Sequence, residues 1–120
     1  MKIYENSEIL SFLDINPANK GHTLVVTKKH YETLLDIPDS EFIMLAKSVK
    51  RIAEAITKGM NVDGFNLLMN NKKISGQEVP HAHFHVIPRF ENDGIEIKWQ
   101  FRKYNNGEMN SLLEKIRKYI

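Results

Sequence analysis

Three histidines stand at alternate positions in the run VPHAHFHVIPR, Val79 to Arg89, with Ala82 and Phe84 between His81, His83 and His85. In a β-strand, period-two alternation sends all three imidazoles to one face and Ala82, Phe84 and Val86 to the other, into a core. Imidazole exchanges its proton near neutral pH and also ligates metals, so this grouping points to acid-base or nucleophilic chemistry, or to an ion. The rival without chemistry requires three separately satisfied histidines in one strand. A rise of ~3.3 Å per residue sets the Cα atoms of His81 and His85 ~13 Å apart, so one ion would take two of the three and leave the third spare. A catalytic zinc would need a further ligand; the chain has no cysteine and no His-x-x-x-His helical pair.

Such a strand needs a scaffold. With 120 residues, 42% of them hydrophobic, the chain is expected to form a single soluble domain, residues 1–120, around one core. No apolar run approaches the ~20 residues of a membrane span, and MKIYENSEIL lacks the continuous apolar stretch of a secretory signal. The absence of cysteine excludes disulfides and thiolate catalysis and fits a cytoplasmic location. A net charge of +2 is too weak for a protein that coats nucleic acid.

Lys2 to Glu5 and Ile9 to Leu13 read as a hairpin turned at Asn6-Ser7. Asp14 to Gly21 reads as a loop, and His22 to Thr27 as a central strand. Tyr31 to Ile37 suggests a short helical turn. Asp39 or Ser40 can then cap a long helix whose apolar stripe is Phe42, Leu45, Ala46, Val49, Ile52, Ala53 and Ile56, with Gly59 placed to end it. Gly64 to Asn70 is the next strand, and Asn71 to Gly76 the loop returning to the histidine strand, which Pro88 closes. Ile95, Ile97, Trp99 and Phe101 alternate with polar residues and predict one more half-buried strand. Asn106-Gly107 introduces a last helix carrying Met109, Leu112, Leu113, Ile116 and Ile120. The fold class is α+β: a mostly antiparallel sheet of about five strands, one long helix packed across it, and a C-terminal helix.

His81-Ala82-His83-Phe84-His85-Val86-Ile87 resembles the signature of the histidine triad (HIT) hydrolases and transferases, His-φ-His-φ-His-φ-φ with φ apolar, at every position. Phe12-Leu13-Asp14-Ile15-Asn16-Pro17, Gly21-His22-Thr23-Leu24-Val25-Val26, Lys28-Lys29-His30 and Gly76-Gln77 are similar to further family motifs in the same order. The resemblance spans Ile3 to about Trp99 and implies a HIT-like fold. Neutral imidazole attacks phosphorus when one ring nitrogen donates a hydrogen bond and the other is free. The resemblance makes His83 that nucleophile, taking a nucleoside monophosphoryl group, with AMP expected, which water or another acceptor then removes. It implies that protonated His85 and His22 donate to the phosphate oxygens, and that His81 orients its neighbours, its backbone carbonyl holding the His83 ring. Asp14 would accept from the ribose hydroxyls, and Phe12, Ile15 and Leu24 would wall the base pocket. Gly76 and Gln77 would meet the phosphate through backbone amides and a small polar group, whereas His30 is expected to be structural. Asn70 stands thirteen residues before His83, where the family carries Asn in its nucleoside-phosphoramidase branch and Gln in its dinucleoside-polyphosphate branch. The resemblance therefore implies cleavage of a purine nucleoside 5′-monophosphate from an amine or phosphate leaving group. A dinucleoside polyphosphate hydrolase and a nucleotide-binding adaptor are the alternatives.

No metal and no cofactor are expected; any Mg would arrive with the substrate nucleotide. A homodimer is the family expectation, with the long helix or the Trp99 and Phe101 segment as its contact. The chain departs from the pattern at Glu78, where the two branches carry Ser or Thr, and at Thr27, where Pro is frequent. It also begins at Met1-Lys2-Ile3 without the Cys-containing N-terminal segment of many relatives.

Overall fold

The computed structural model describes all residues, Met1 to Ile120. Five strands, β1 (Lys2–Glu5), β2 (Ile9–Leu13), β3 (Thr23–Thr27), β4 (Gly64–Leu68) and β5 (His83–Arg89), form one open sheet in the order β1-β2-β3-β5-β4, with every neighbouring pair antiparallel. Helix α1 (Asp39–Met60) crosses one face of the sheet, and α2 (Glu108–Arg117) ends the chain. The β1–β2 turn is built on Asn6, whose Oδ1 accepts from the amides of both Glu8 and Ile9.

Alternation along the strands assigns the two faces. Ile9, Val25 and Val86 point to α1 and meet Leu45, Val49, Ile52, Ala53 and Ile56, the helical stripe read from the sequence. Complete burial of a side chain such as Leu45 contributes about 1.5–3 kcal/mol, so this seam supplies most of the domain's cohesion. The opposite face carries Leu10 and Phe12 on β2, Leu24 and Val26 on β3, and His83 and His85 on β5. The register fixes this set, with Phe12 opposite Leu24, Leu24 opposite His85 and Val26 opposite His83. No helix covers that face, and these residues stay half-buried.

Four expectations need correction. Gly59 lies inside α1; the helix runs one residue further, and Asn61, at φ 52 and ψ 52, closes it in the left-handed conformation. Asn tolerates this region because its short polar side chain can satisfy local backbone groups. Neither Asp39 nor Ser40 caps the start, since Pro38 occupies the cap position and Asp39 already belongs to the helix. Pro88 does not close β5 but lies inside it, opposite Phe65. Its side facing away from β4 is free of a ladder because β3 no longer pairs there, which is where proline is tolerated. Ile95 to Phe101 form no strand, and Trp99 and Phe101 are 75% and 95% exposed.

The far end of β5 is clamped beside the chemistry. Arg89 donates from Nε and Nη2 to the two carboxylate oxygens of Asp93, and also to Asn66 Oδ1 and the Ile95 carbonyl. Asn19 donates to the Pro88 carbonyl and to Asp93. The loop carrying His22 is thereby fastened to the strand carrying His85. Gly21, at φ +84, completes the fit, since a Cβ there would run into the Met60 Sδ.

Candidate functional site

His83 is the first residue of β5, and its ring is set by its own chain: Nδ1 lies 2.7 Å from the His81 carbonyl. A carbonyl only accepts, so Nδ1 carries the hydrogen and the neutral ring keeps an unshared pair on Nε2. That is the form of imidazole able to attack an electrophile.

His22 and His85 make a second unit. The Ala18 amide donates to His22 Nδ1 at 3.0 Å, so that nitrogen must be the acceptor. A neutral His22 then carries its hydrogen on Nε2, which lies 2.8 Å from His85 Nδ1. His85 in turn accepts at Nδ1 and bears its hydrogen on Nε2. The loop amide thus dictates the tautomers of two rings in series. Burial lowers the pKa of both, with the neighbouring His83 lowering them further and Asp14 opposing; His85 falls to about 4. Both rings are therefore neutral at pH 7 in the free protein. His22 directs its hydrogen at His85 Nδ1, so of the two neutral rings only His85, through Nε2, has an N–H left to donate outwards.

Asp14, His22 and His85 present ligand atoms within 4.8 Å of one another, which raises the metal alternative again. The hydrogen bonding disfavours it. A metal on His22 Nε2 would force the ring proton onto Nδ1, against the Ala18 amide that already donates there. Asp14 instead accepts from the Asn16 amide through Oδ1, and its Oδ2 lies 3.8 Å from His22 Nε2.

His81 is not in the strand. The β3–β5 ladder ends at Val26 opposite His83, and where the next rung would fall the Ala82 amide turns to the Tyr31 carbonyl. The Thr27 carbonyl is left to accept from His81 Nε2 at 2.8 Å, and His81 Nδ1 lies 3.1 Å from Nδ1 of His30. The three imidazoles therefore do not line up on one strand face. His83 and His85 do, with ring centroids 4.7 Å apart, while His81 is tied back to β3.

A pocket of about 410 Å³ opens beside the histidines, lined by Phe12, Leu24, Val26, Val79, His81 and His83. Phe12 and Leu24 were expected there. Ile15 was also expected, but it is 83% exposed and lines no part of the pocket. Val26 and Val79 escaped sequence reasoning. Val26 could have been found, since it lies two residues along β3 from Leu24 and shares its face.

The Asn70 to Gln77 loop is built differently from expectation. Gln77 is buried, accepting from the Lys72 amide and donating to the Glu32 carbonyl, and its own amide bonds the Lys72 carbonyl. The Gly76 amide is spent on Lys73. Both residues brace the loop instead of offering amides to a phosphate. They hold Lys72 at φ 71, ψ 158, a conformation otherwise almost confined to glycine. Asn70 reaches towards the Gly76 carbonyl at 3.4 Å, and Glu78 is exposed.

The sequence matches the HIT domain over residues 1–92. An uncharacterized HIT-like protein of Methanocaldococcus jannaschii is 47% identical over 115 residues, 96% of this chain and 87% of that one. The adenosine 5′-monophosphoramidase HNT1 of Saccharomyces cerevisiae is 39% identical over 116 residues, 96% of this chain and 71% of its own. Among solved structures, a HIT family member from Bacillus subtilis superimposes with a TM-score of 0.92 at 35% identity, covering 99% of this chain and 86% of that one.

Proposed function

This chain belongs to the HIT family, and from that premise we propose that it is a nucleotidyl hydrolase or transferase that releases AMP from an amine or phosphate leaving group through a nucleotidyl-His83 intermediate. The observation that carries the reading is the hydrogen bond from His83 Nδ1 to the His81 carbonyl, which leaves Nε2 free on a ring lining an apolar pocket. In the first step Nε2 attacks the α-phosphorus, a P–N bond forms, and the bond to the leaving amine or phosphate breaks, its electron pair going to the leaving atom, which takes a proton from solvent when it is an amine. His85 donates its Nε2 hydrogen towards the phosphate oxygens, where negative charge grows. Water then attacks the same phosphorus and releases a proton to solvent, the P–N bond breaks with its electron pair returning to Nε2, and AMP departs from neutral His83. Dividing one displacement into two lowers each barrier. Phe12, Leu24, Val26 and Val79 enclose the base, and Asp14 Oδ2 accepts from the ribose.

Intact-protein mass after brief mixing with an adenosine phosphoramidate or a diadenosine polyphosphate tests this. The expected result is a nucleotide adduct that survives base and is missing in His83→Ala; the faster substrate identifies the leaving-group class. AMP binding with neither adduct nor turnover would make the protein an adaptor.

The protein is proposed to act as a cytoplasmic homodimer. β4 is an edge strand, and Phe65 and Leu67 on it join Ala46, Val49 and Ala53 of α1 around an apolar groove of about 450 Å³. Unpaired edges and apolar grooves of this kind favour association. Sedimentation at the 14.0 kDa of a single chain would refute the dimer.

A further inference from the structure

All five histidines of the chain take part in the hydrogen bonds described above, and His30 is the one to which the mechanism assigns nothing. We infer that His30 is a positioning residue for the nucleophile: by donating from Nδ1 to His81 it fixes that ring and, through it, the carbonyl that orients His83. The inference rests on His83 being the nucleophile.

Hydrogen-bond roles make the chain of dependence one-directional. The Thr27 carbonyl can only accept, so His81 carries a hydrogen on Nε2, and in the neutral ring Nδ1 has only a lone pair. The contact at 3.1 Å then requires His30 to donate from its own Nδ1, leaving its Nε2 free. His81 is held between a carbonyl that fixes one nitrogen and an imidazole that fixes the other.

This matters because the His81 carbonyl has no ladder to hold it. β5 begins at His83, and the preceding residues follow an irregular path secured at the Ala82 amide, at a bond from the His81 amide to the Val79 carbonyl, and at the His81 ring. A carbonyl in a sheet is aimed by its neighbours; this one has two holds, the Ala82 amide of the same peptide group bonded to the Tyr31 carbonyl and the His81 ring. With the ring released, the Ala82 amide alone holds that peptide group, and the bond that keeps the His83 hydrogen on Nδ1 and its lone pair on Nε2 is loosened. His30 is exposed and does not line the apolar pocket, so its effect passes through His81.

The test compares wild type with His30→Asn and His30→Leu, read by side-chain nitrogen NMR of the histidines and by the rate of nucleotide-adduct formation. Both variants replace an exposed ring and leave the core intact. The Asn Nδ2 stands close to the place of the lost Nδ1 donor, whereas Leu fills the space without a donor. In His30→Leu, His83 is expected to become a mixture of tautomers and kcat to fall about tenfold with KM nearly unchanged, the loss of roughly one hydrogen bond's worth of orientation. His30→Asn should recover most of both. A folded His30→Leu protein with the wild-type His83 tautomer and rate would overturn the inference, as would equal behaviour of the Asn and Leu variants. If wild type itself forms no adduct, the proposed function fails, while the tautomers still decide whether His30 governs His83.

Discussion

Lowering the pH from 7 to 5 should destabilise this protein through His85 in particular. In the unfolded chain the ring titrates near 6.5; in the fold, burial first and the neighbouring His83 and His22 next pull it to about 4. The fold therefore favours the neutral ring. That contribution is complete above pH 6.5 and is lost progressively as pH falls towards 4, because the unfolded chain takes up a proton that the folded one refuses. Integrating between pH 7 and 5 gives about 2 kcal/mol as an upper bound, since the ring is partly open to solvent that screens it. His22, also lowered by burial, adds in the same direction. The assay is a pair of thermal or urea melts at the two pH values for wild type and for His85→Asn, which cannot titrate. Carboxylates and the other histidines contribute to both proteins, so the difference between them isolates the ring. Wild type should lose up to about 2 kcal/mol more than the variant, roughly 7 °C in Tm. Equal losses would refute the lowering of the His85 pKa by burial, because a ring that the fold keeps neutral must resist protonation.

Gly21→Ala is expected to cost about 1–2 kcal/mol in urea denaturation, and adding Met60→Ala should recover only part of it, because the φ of +84 remains after the collision is relieved. Leu45→Ala, at a position with no solvent exposure, should cost about 2–5 kcal/mol in the same measurement. Exhaustive dialysis against a chelator should leave turnover of an adenosine phosphoramidate unchanged; a loss restored by zinc would reinstate Asp14, His22 and His85 as ligands.

What could be read from the sequence was whatever repeats with the period of an element. The stripe from Leu45 to Ile56 and the alternation of His83 and His85 with Phe84 and Val86 gave the sheet, the helix and the face on which the chemistry lies. What could not be read depends on single neighbours brought in from elsewhere. Nothing in the sequence marks the Ala18 amide as the partner of His22, yet it sets two tautomers. Nothing marks the end of the β3–β5 ladder at Val26, so His81 reads as a strand residue when it is a strut tied to Thr27 and His30. The alternation from Ile95 to Phe101 predicts a half-buried strand that the structure does not form, because period alone does not say which surface will cover it. Gly59 shows the same limit at a helix end: two residues capable of closing α1 lie close together, and the one that bonds back to Lys58 is Asn61.

The exposed C-terminal arm has a consequence for how the molecule is made. Its extension raises the radius of gyration to 16.9 Å, against about 14 Å for a compact chain of this length. Every strand, α1 and the Arg89–Asp93 clamp lie before Gly94, so the ribosome has finished the whole sheet domain while the last 27 residues are still to come. At ordinary elongation rates those residues take roughly 1–5 s, longer than many domains of this size need to fold. The residues of the sheet and its core thus precede this apolar segment in the order of synthesis, which limits its competition for core positions.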